Sequence, residues 1–298
     1  MQNNRHAYLI LAHNQPRLLQ VLVDMIDDER NDIFIHVDIK ADMSQFEAVH
    51  AVKSRLFYTK RFKVYWGDYS LSNTELHLFE TARQNGPYLY YHILSGVDLP
   101  LKDQDYIHHL MDDVYRGKEF IGFSKRKDFE YRTRYYHLFG KHFRSSQRIG
   151  SYLSVIRRYA IGLQKKMGVW RNRKVAFEYG PQWVSITDDL CQFILANKKR
   201  IKKLYHHTFI ADESYIQSFI RDTHFYNNIC DKDDEYRSCM RQIDWEKGPD
   251  YPHIWTRQDW EELISSDKLF ARKFSEDDMD FIYQLKDHVL NSKYYNEG

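Results

Sequence analysis

The sequence predicts an α/β fold with a mostly parallel central sheet flanked by helices, and two observations carry that expectation. Short apolar runs at residues 8–12, 33–37 and 89–94 are too brief for helices, and stretches with helical spacing separate them. Strand and helix therefore alternate through the first third of the chain, the pattern of βαβ units. An apolar fraction of 43% and a charged fraction of 29% over 298 residues also allow a full hydrophobic core. No internal repeat, low-complexity tract or clear linker divides the chain. The simplest expectation is one domain over residues 1–298, with a basic helical insert at about 125–175.

The elements follow in order. Residues 8–12 read as a buried strand. Asn14 is expected to cap a helix with Pro16 in its first turn and Leu18, Leu19, Leu22, Val23 and Ile26 on its apolar side. The strand at 33–37 runs into Asp38, and 62–66 reads as a third short strand before Gly67 and Asp68. Ser72-Asn73-Thr74-Glu75 has the form of a capping box opening a helix with Leu76, Phe79 and Ala82. The run at 89–94 is the most apolar and is placed centrally. It breaks at Ser95-Gly96 and ends in Asp98-Leu99-Pro100. Helical spacing returns at Leu153, Ile156, Tyr159, Ile161 and Leu163. Residues 179–186 read as turn and strand, and 188–205 as one helix. Ser214–Gln217, Thr256–Asp259 and Ser275–Asp278 read as further helix caps.

Charge is unevenly distributed. Between Lys125 and Lys174 there are 15 Lys and Arg against 2 acids, a net of +13 in a chain of net +2, so the remainder carries −11. Such a block implies a polyanionic neighbour (anionic lipid, a lipid pyrophosphate, nucleotide phosphates or nucleic acid) or a solvated helical face. Three cysteines without a CxxC exclude a disulfide framework and a Cys-based zinc site, and they suit a reducing cytoplasm. Neither a secretory leader nor an apolar run of roughly 18 residues is seen. The 15 His include the adjacent pairs His108-His109 and His206-His207, whose side chains diverge, and no HExxH, so a catalytic zinc is not expected.

Chemistry is expected at strand ends, because ligands of open parallel sheets sit outside the carboxyl ends of the strands. Asp38, Gly67, Asp68, Ser95, Gly96 and Asp98 all fall there. A carboxylate at such a place holds ribose hydroxyls or a base N–H, and glycine admits close backbone approach. An Asp after a strand also serves as an ordinary turn residue.

These residues resemble a known family. Phe34-Ile35-His36-Val37-Asp38, Trp66-Gly67-Asp68-Tyr69-Ser70-Leu71 and Leu94-Ser95-Gly96-Val97-Asp98-Leu99-Pro100-Leu101 are similar to blocks of the core-2/I-branching β-1,6-N-acetylglucosaminyltransferase family, which includes peptide O-xylosyltransferases. Gly180-Pro181-Gln182-Trp183 resembles its GSQW-like motif, Ala211-Asp212-Glu213-Ser214 its PDE motif, and Leu269-Phe270-Ala271-Arg272-Lys273-Phe274 its LFARKF motif. The six blocks keep the family's order over roughly residues 7 to 280.

The resemblance implies a GT-A-like fold, a UDP-sugar donor as substrate with no cofactor, inversion at the anomeric carbon, and no metal. Three DxD triplets, at 103–105, 231–233 and 278–280, lie off the end of the apolar strand and are discounted. The resemblance assigns Glu213 as the catalytic base and Lys273 as a cation on the leaving diphosphate. The second cation stays open among Arg272, Arg241 and Arg257. Asp38, Gly67, Ser95, Gly96 and Asp98 are expected on the nucleotide-sugar side. Glu119, Lys127 and Trp183 are expected on the acceptor side.

The expected partners are the UDP-sugar and a glycan acceptor, lipid-linked in one version, with GlcNAc the first expectation for the sugar and xylose, glucose or galactose left open. The basic stretch is expected to touch anionic lipid at the inner face of the cell membrane, with cell-surface polysaccharide synthesis as the setting. A nucleic-acid-binding module using residues 125–174 is the reading from a different class. It is disfavoured because strand-end carboxylates repel phosphates. A catalytically dead sugar-binding relative is disfavoured by the intact Asp212-Glu213 and Lys273.

Overall fold

The computed structural model describes residues 4–126, 128–138, 140–142, 148–248 and 251–292. The chain opens with β1 (His6–Ala12), α1 (Pro16–Ile26), β2 (Asn31–Val37), β3 (Arg55–Tyr58), α2 (Ser70–Asn85), β4 (Tyr90–Ser95) and β5 (Asp98–Pro100). α3 (Gln104–His108), α4 (Tyr131–Arg134) and α5 (Arg148–Lys166) lead to β6 (Ser185–Thr187). α6 (Asp188–Ala196), α7 (Lys198–Tyr205), α8 (Tyr215–Ile220) and α9 (Glu235–Cys239) follow. β7 (Arg241–Ile243), α10 (Trp260–Ile264), β8 (Phe270–Arg272) and α11 (Met279–Asn291) complete the fold.

A five-stranded sheet runs β3-β2-β1-β4-β6, parallel except for β6, which pairs antiparallel with β4. A three-stranded sheet, β5-β8-β7, continues from the end of β4. The mostly parallel α/β architecture read from the sequence is thus present. β1 is buried throughout and alternates between two cores. Tyr8, Ile10 and Ala12 pack with α1 and α11, while Ala7, Leu9 and Leu11 pack with α2, α6 and α7. Each fully buried Leu or Ile contributes roughly 1.5–3 kcal/mol. No described helix is long and apolar enough to cross a membrane.

Several local expectations are corrected, some because a side chain takes a backbone group. The third strand is Arg55–Tyr58 rather than 62–66. The Phe62 amide donates to His36 Nε2 at 2.8 Å and the Tyr65 amide to Ser70 Oγ at 3.0 Å, which removes both from any ladder. Asn14 does not cap α1. Gln15 precedes it in the left-handed region at φ 56° without a side-chain cap, and its Oε1 accepts from the Glu276 amide at 2.7 Å. α2 starts at Ser70, so Ser72 and Glu75 lie buried within the helix rather than at its cap. Ser214 precedes α8, but its Oγ donates to the Glu178 carbonyl at 2.8 Å. The helix expected at 188–205 breaks at Asn197. Thr256 and Asp259 do form the reciprocal box, and Ser275 caps the turn after it.

Candidate active site

The carboxyl ends of β1, β2 and β4 lie side by side. The Asp38 amide donates to the Ala12 carbonyl and the Gly96 amide to the Leu11 carbonyl, both at 2.9 Å. Close approach is required here, since a Cβ on Gly96 would stand 3.3 Å from that of Ala12. Asp98 folds back on its own turn, accepting from the Ser95 amide at 2.8 Å and Ser95 Oγ at 2.7 Å. β8 then brings Arg272 against it, because β5 and β8 pair Asp98 with Arg272. Arg272 Nη1 stands 3.4 Å from Asp98 Oδ1, and the guanidinium lies 3.7 Å over the Trp183 ring.

Arg272 is deeply set. Burial pushes its pKa down, and the nearby Asp98 and Glu213 carboxylates push it back up. Its Nε and Nη1 are buried without a hydrogen-bond partner among the described residues. A buried cation with unused donors suits an anionic ligand oxygen. The next residue, Lys273, places its ammonium 4.0 Å over the Tyr251 ring. Lys273 also acts on His13, as do Asp38 and Lys40, so these four groups share one neighbourhood. Burial is the main reason the His13 pKa falls, with Lys40 and Lys273 adding to it against Asp38. Asp38 serves its own turn too. It accepts from the Lys40 amide at 2.9 Å and meets Lys40 Nζ at 3.3 Å.

Glu213 lies within electrostatic reach of Arg272. It ends a short 3-10 turn, Ala211–Glu213, and its carbonyl accepts from the Gly180 amide at 3.0 Å. Arg132 Nη1 donates to Glu213 Oε2 at 2.7 Å. Among the described residues Oε1 accepts no hydrogen bond and stays open to an incoming hydroxyl. The turn is pinned from below by Gly67, whose carbonyl accepts from the Ile210 amide at 2.9 Å. Gly67 has φ 76°, and a Cβ there would meet the Phe209 ring at 2.4 Å, so both conformation and space demand glycine. Next to Glu213, burial raises the pKa of both Asp212 and Glu75, with Glu213 adding to the rise at Asp212 and Asp212 to the rise at Glu75. Gln182 Nε2 donates to Glu75 Oε1 at 2.5 Å, tying the 180–183 segment to α2.

The structure therefore gathers Asp98, Arg272, Trp183 and Glu213, with Gly67 supporting the last. It gathers Asp38 and Lys273 beside His13, and places Ser95 and Gly96 between β1 and Asp98. Two expected residues are buried and bonded within the fold. Arg241 is 2% exposed, with its guanidinium 4.4 Å over Phe270 and donating to the Cys239 carbonyl at 2.7 Å and Ser185 Oγ at 3.1 Å. It is a buried strut whose pKa is lowered to about 10 by burial, with its Nη donors bonded inside the fold. Glu119 is 1% exposed, and both its oxygens are taken, by the Thr187 amide at 3.0 Å and Thr187 Oγ1 at 2.6 Å. It anchors the start of α6 and is not open to an acceptor. Arg257 meets Asp278 at 3.4 Å on the surface, and Lys127 lies outside the described residues.

His13, Lys40 and Arg132 were missed. His13 and Lys40 carry a signal in the sequence, since His13 directly follows β1 and Lys40 lies three positions past the end of β2. Arg132 carries none, because only the fold brings it 81 positions from its partner. The DxD triplets are spent locally: Asp103 caps Tyr106, Asp231 accepts from Asp233, and Asp278 caps Phe281. His6, His108 and Asp112 come within 4.8 Å of one another at the amino end of β1, remote from these strand ends, and are bonded to each other.

Fold and site together define an α/β protein whose strand-end face sets a buried Asp–Arg pair beside a carboxylate and can hold an anionic ligand. The chain belongs to the Core-2/I-Branching enzyme family, whose model matches residues 6–269. It is 23% identical over 298 residues to beta-glucuronosyltransferase GlcAT14B of Arabidopsis thaliana, covering 92% of this chain and 64% of the relative. It is also 23% identical to beta-glucuronosyltransferase GlcAT14A of the same plant, covering 96% and 61%. The chain thus spans less than two thirds of the length of these relatives. Among solved structures, mouse xyloside xylosyltransferase 1 in its apo form matches with a TM-score of 0.30 and 10% identity, over 72% of this chain and 81% of that one.

Proposed function

We propose that this protein is an inverting, metal-independent glycosyltransferase that moves a sugar from a UDP-sugar to a hydroxyl of a glycan acceptor. The observation that carries the reading is Arg272, a largely buried cation paired with Asp98, within the field of Glu213 and with an Nε that no described residue accepts from. In the reaction the bond from the anomeric carbon to the UDP oxygen breaks as the acceptor oxygen bonds from the opposite face. Glu213 takes the acceptor proton through Oε1, with Arg132 holding Oε2. Arg272 and Lys273 take up the charge developing on the diphosphate, the role a divalent ion fills elsewhere. Asp98 is a poor metal ligand, because Ser95 and Arg272 already engage its carboxylate.

GlcNAc is the first expectation for the donor sugar. Glucuronic acid is the second, because two relatives carry that activity in their names. The acceptor is placed in cell-surface polysaccharide synthesis, lipid-linked and reached from the cytoplasmic face. A hydrolysis panel of UDP-GlcNAc, UDP-glucuronic acid, UDP-xylose, UDP-glucose and UDP-galactose, with and without EDTA, tests the reading. Release of UDP from one donor that persists in EDTA supports it. Activity abolished by EDTA and restored by manganese would refute the metal-free mechanism, and no release from any donor would refute the donor class.

A further inference from the structure

Helix α5 carries its apolar stripe on the wrong side for a helix serving a core. The side against the protein holds half-buried Leu153, Arg157, Ala160, Ile161 and Gln164. Arg157 lies 5.3 Å over Phe209, and Gln164 grips the Tyr136 backbone, accepting from its amide at 2.8 Å and donating to its carbonyl at 3.0 Å. The solvent side holds Tyr152, Val155, Ile156, Tyr159 and Leu163, with Met167 just past the end, at exposures of 74, 40, 40, 77, 59 and 70%. These positions fall on one face at helical spacing. Singly exposed apolar residues need no explanation, but a continuous stripe marks an interaction surface.

We propose that this face docks on an anionic membrane surface. The apolar stripe enters the headgroup region, and the exposed Arg158, Lys165 and Lys166 meet lipid phosphates. Charge selects this occupant. A second copy of the chain would set one +13 segment against another. Nucleic acid would satisfy the cations but offers nothing to Val155, Ile156, Leu163 and Met167. The position adjoins the candidate active site. Phe209, on which Arg157 rests, packs against Gly67, and its amide donates to the carbonyl of Arg132, the partner of Glu213, at 3.0 Å.

The test is flotation of the whole chain with phosphatidylcholine vesicles, alone and with about 30% phosphatidylglycerol. The protein is expected to float with the anionic vesicles and to stay behind with the neutral ones. Tyr159→Glu with Leu163→Glu should lower the bound fraction at least about tenfold, and Arg158→Glu with Lys166→Glu should do the same. Both double variants should melt within about 3 °C of the parent, because the altered side chains are exposed. Absence of flotation, or equal flotation with both vesicle types, overturns the proposal. A dimer dissolved by Leu163→Glu would then give the face to a second copy, and duplex DNA held at moderate salt would give it to nucleic acid. The readout needs no donor sugar, so its failure leaves the transferase reading standing.

Discussion

Arg132 donates from Nη1 to Oε2 of Glu213 at 2.7 Å, and its own guanidinium is fixed 4.0 Å over the Phe129 ring. The carboxylate is thereby aimed by a cation from a segment some eighty positions earlier. Glu213→Gln is expected to lower transfer by roughly 10²–10⁴-fold while UDP affinity changes by less than about twofold. Arg132→Met should lower kcat about tenfold through misorientation, with UDP affinity again retained. Single-turnover transfer and UDP titration measure the two effects separately. Transfer above a tenth of the parent rate in Glu213→Gln would place the base elsewhere.

Arg272 and Arg241 are both buried arginines near Asp98, and their variants should part cleanly. Arg272→Met removes an Nε without a partner among the described residues and an Nη1 held only by a 3.4 Å ion pair to Asp98, so UDP affinity should fall by roughly 10–100-fold, the worth of hydrogen bonds to a charged group. Arg241→Met removes bonds to the Cys239 carbonyl and Ser185 Oγ, and its cost should appear in the melting temperature instead. Calorimetric titration with UDP, paired with thermal melts, checks both. A larger loss of UDP affinity from Arg241→Met than from Arg272→Met would reverse the assignment.

These two arginines also show what could be read in advance. Both sit in motifs or near them, and nothing in their neighbours distinguishes a strut from a clamp. That distinction comes from β8 lying between β5 and β7, which sends Arg272 to Asp98 and leaves Arg241 beneath. The strands were legible at 8–12, 33–37 and 89–94, because burial on both faces gives short, largely apolar runs, while their polar first residues at 6 and 31–32 were not. The run at 62–66 looked equally strand-like, and only the long-range bond from Phe62 to His36 shows why it is not. Glu75 read as a cap residue because the box pattern is purely local. Its burial against Gln182 is a tertiary event.

His36 should make the fold acid-sensitive. Its Nε2 accepts from the Phe62 amide, which requires a neutral ring, and burial lowers its pKa from 6.5 to about 4. The unfolded chain binds this proton near pH 6.5 and the folded chain only near 4. The stabilisation is therefore complete above about 6.5 and is lost as pH falls toward 4. His36→Gln keeps an acceptor and cannot titrate, so its melting temperature should gain on the parent between pH 6.5 and 4.5. A constant gap between the two across that range would show that His36 does not titrate as described.

Glu119 should act with the opposite sign. Burial raises its pKa to about 7 against the two bonds from Thr187, so the folded chain keeps a proton that the unfolded chain releases near 4.5. Stability is then lost as pH rises from about 4.5 to 7 and is level above. Glu119→Gln removes that loss, and its melting temperature should gain on the parent as pH climbs through this window. The same variant bears on the site. Because both oxygens are committed to Thr187, the acceptor KM should stay within about twofold of the parent. A large rise in acceptor KM without a fall in melting temperature would return Glu119 to the acceptor side and undo its placement as the anchor of α6.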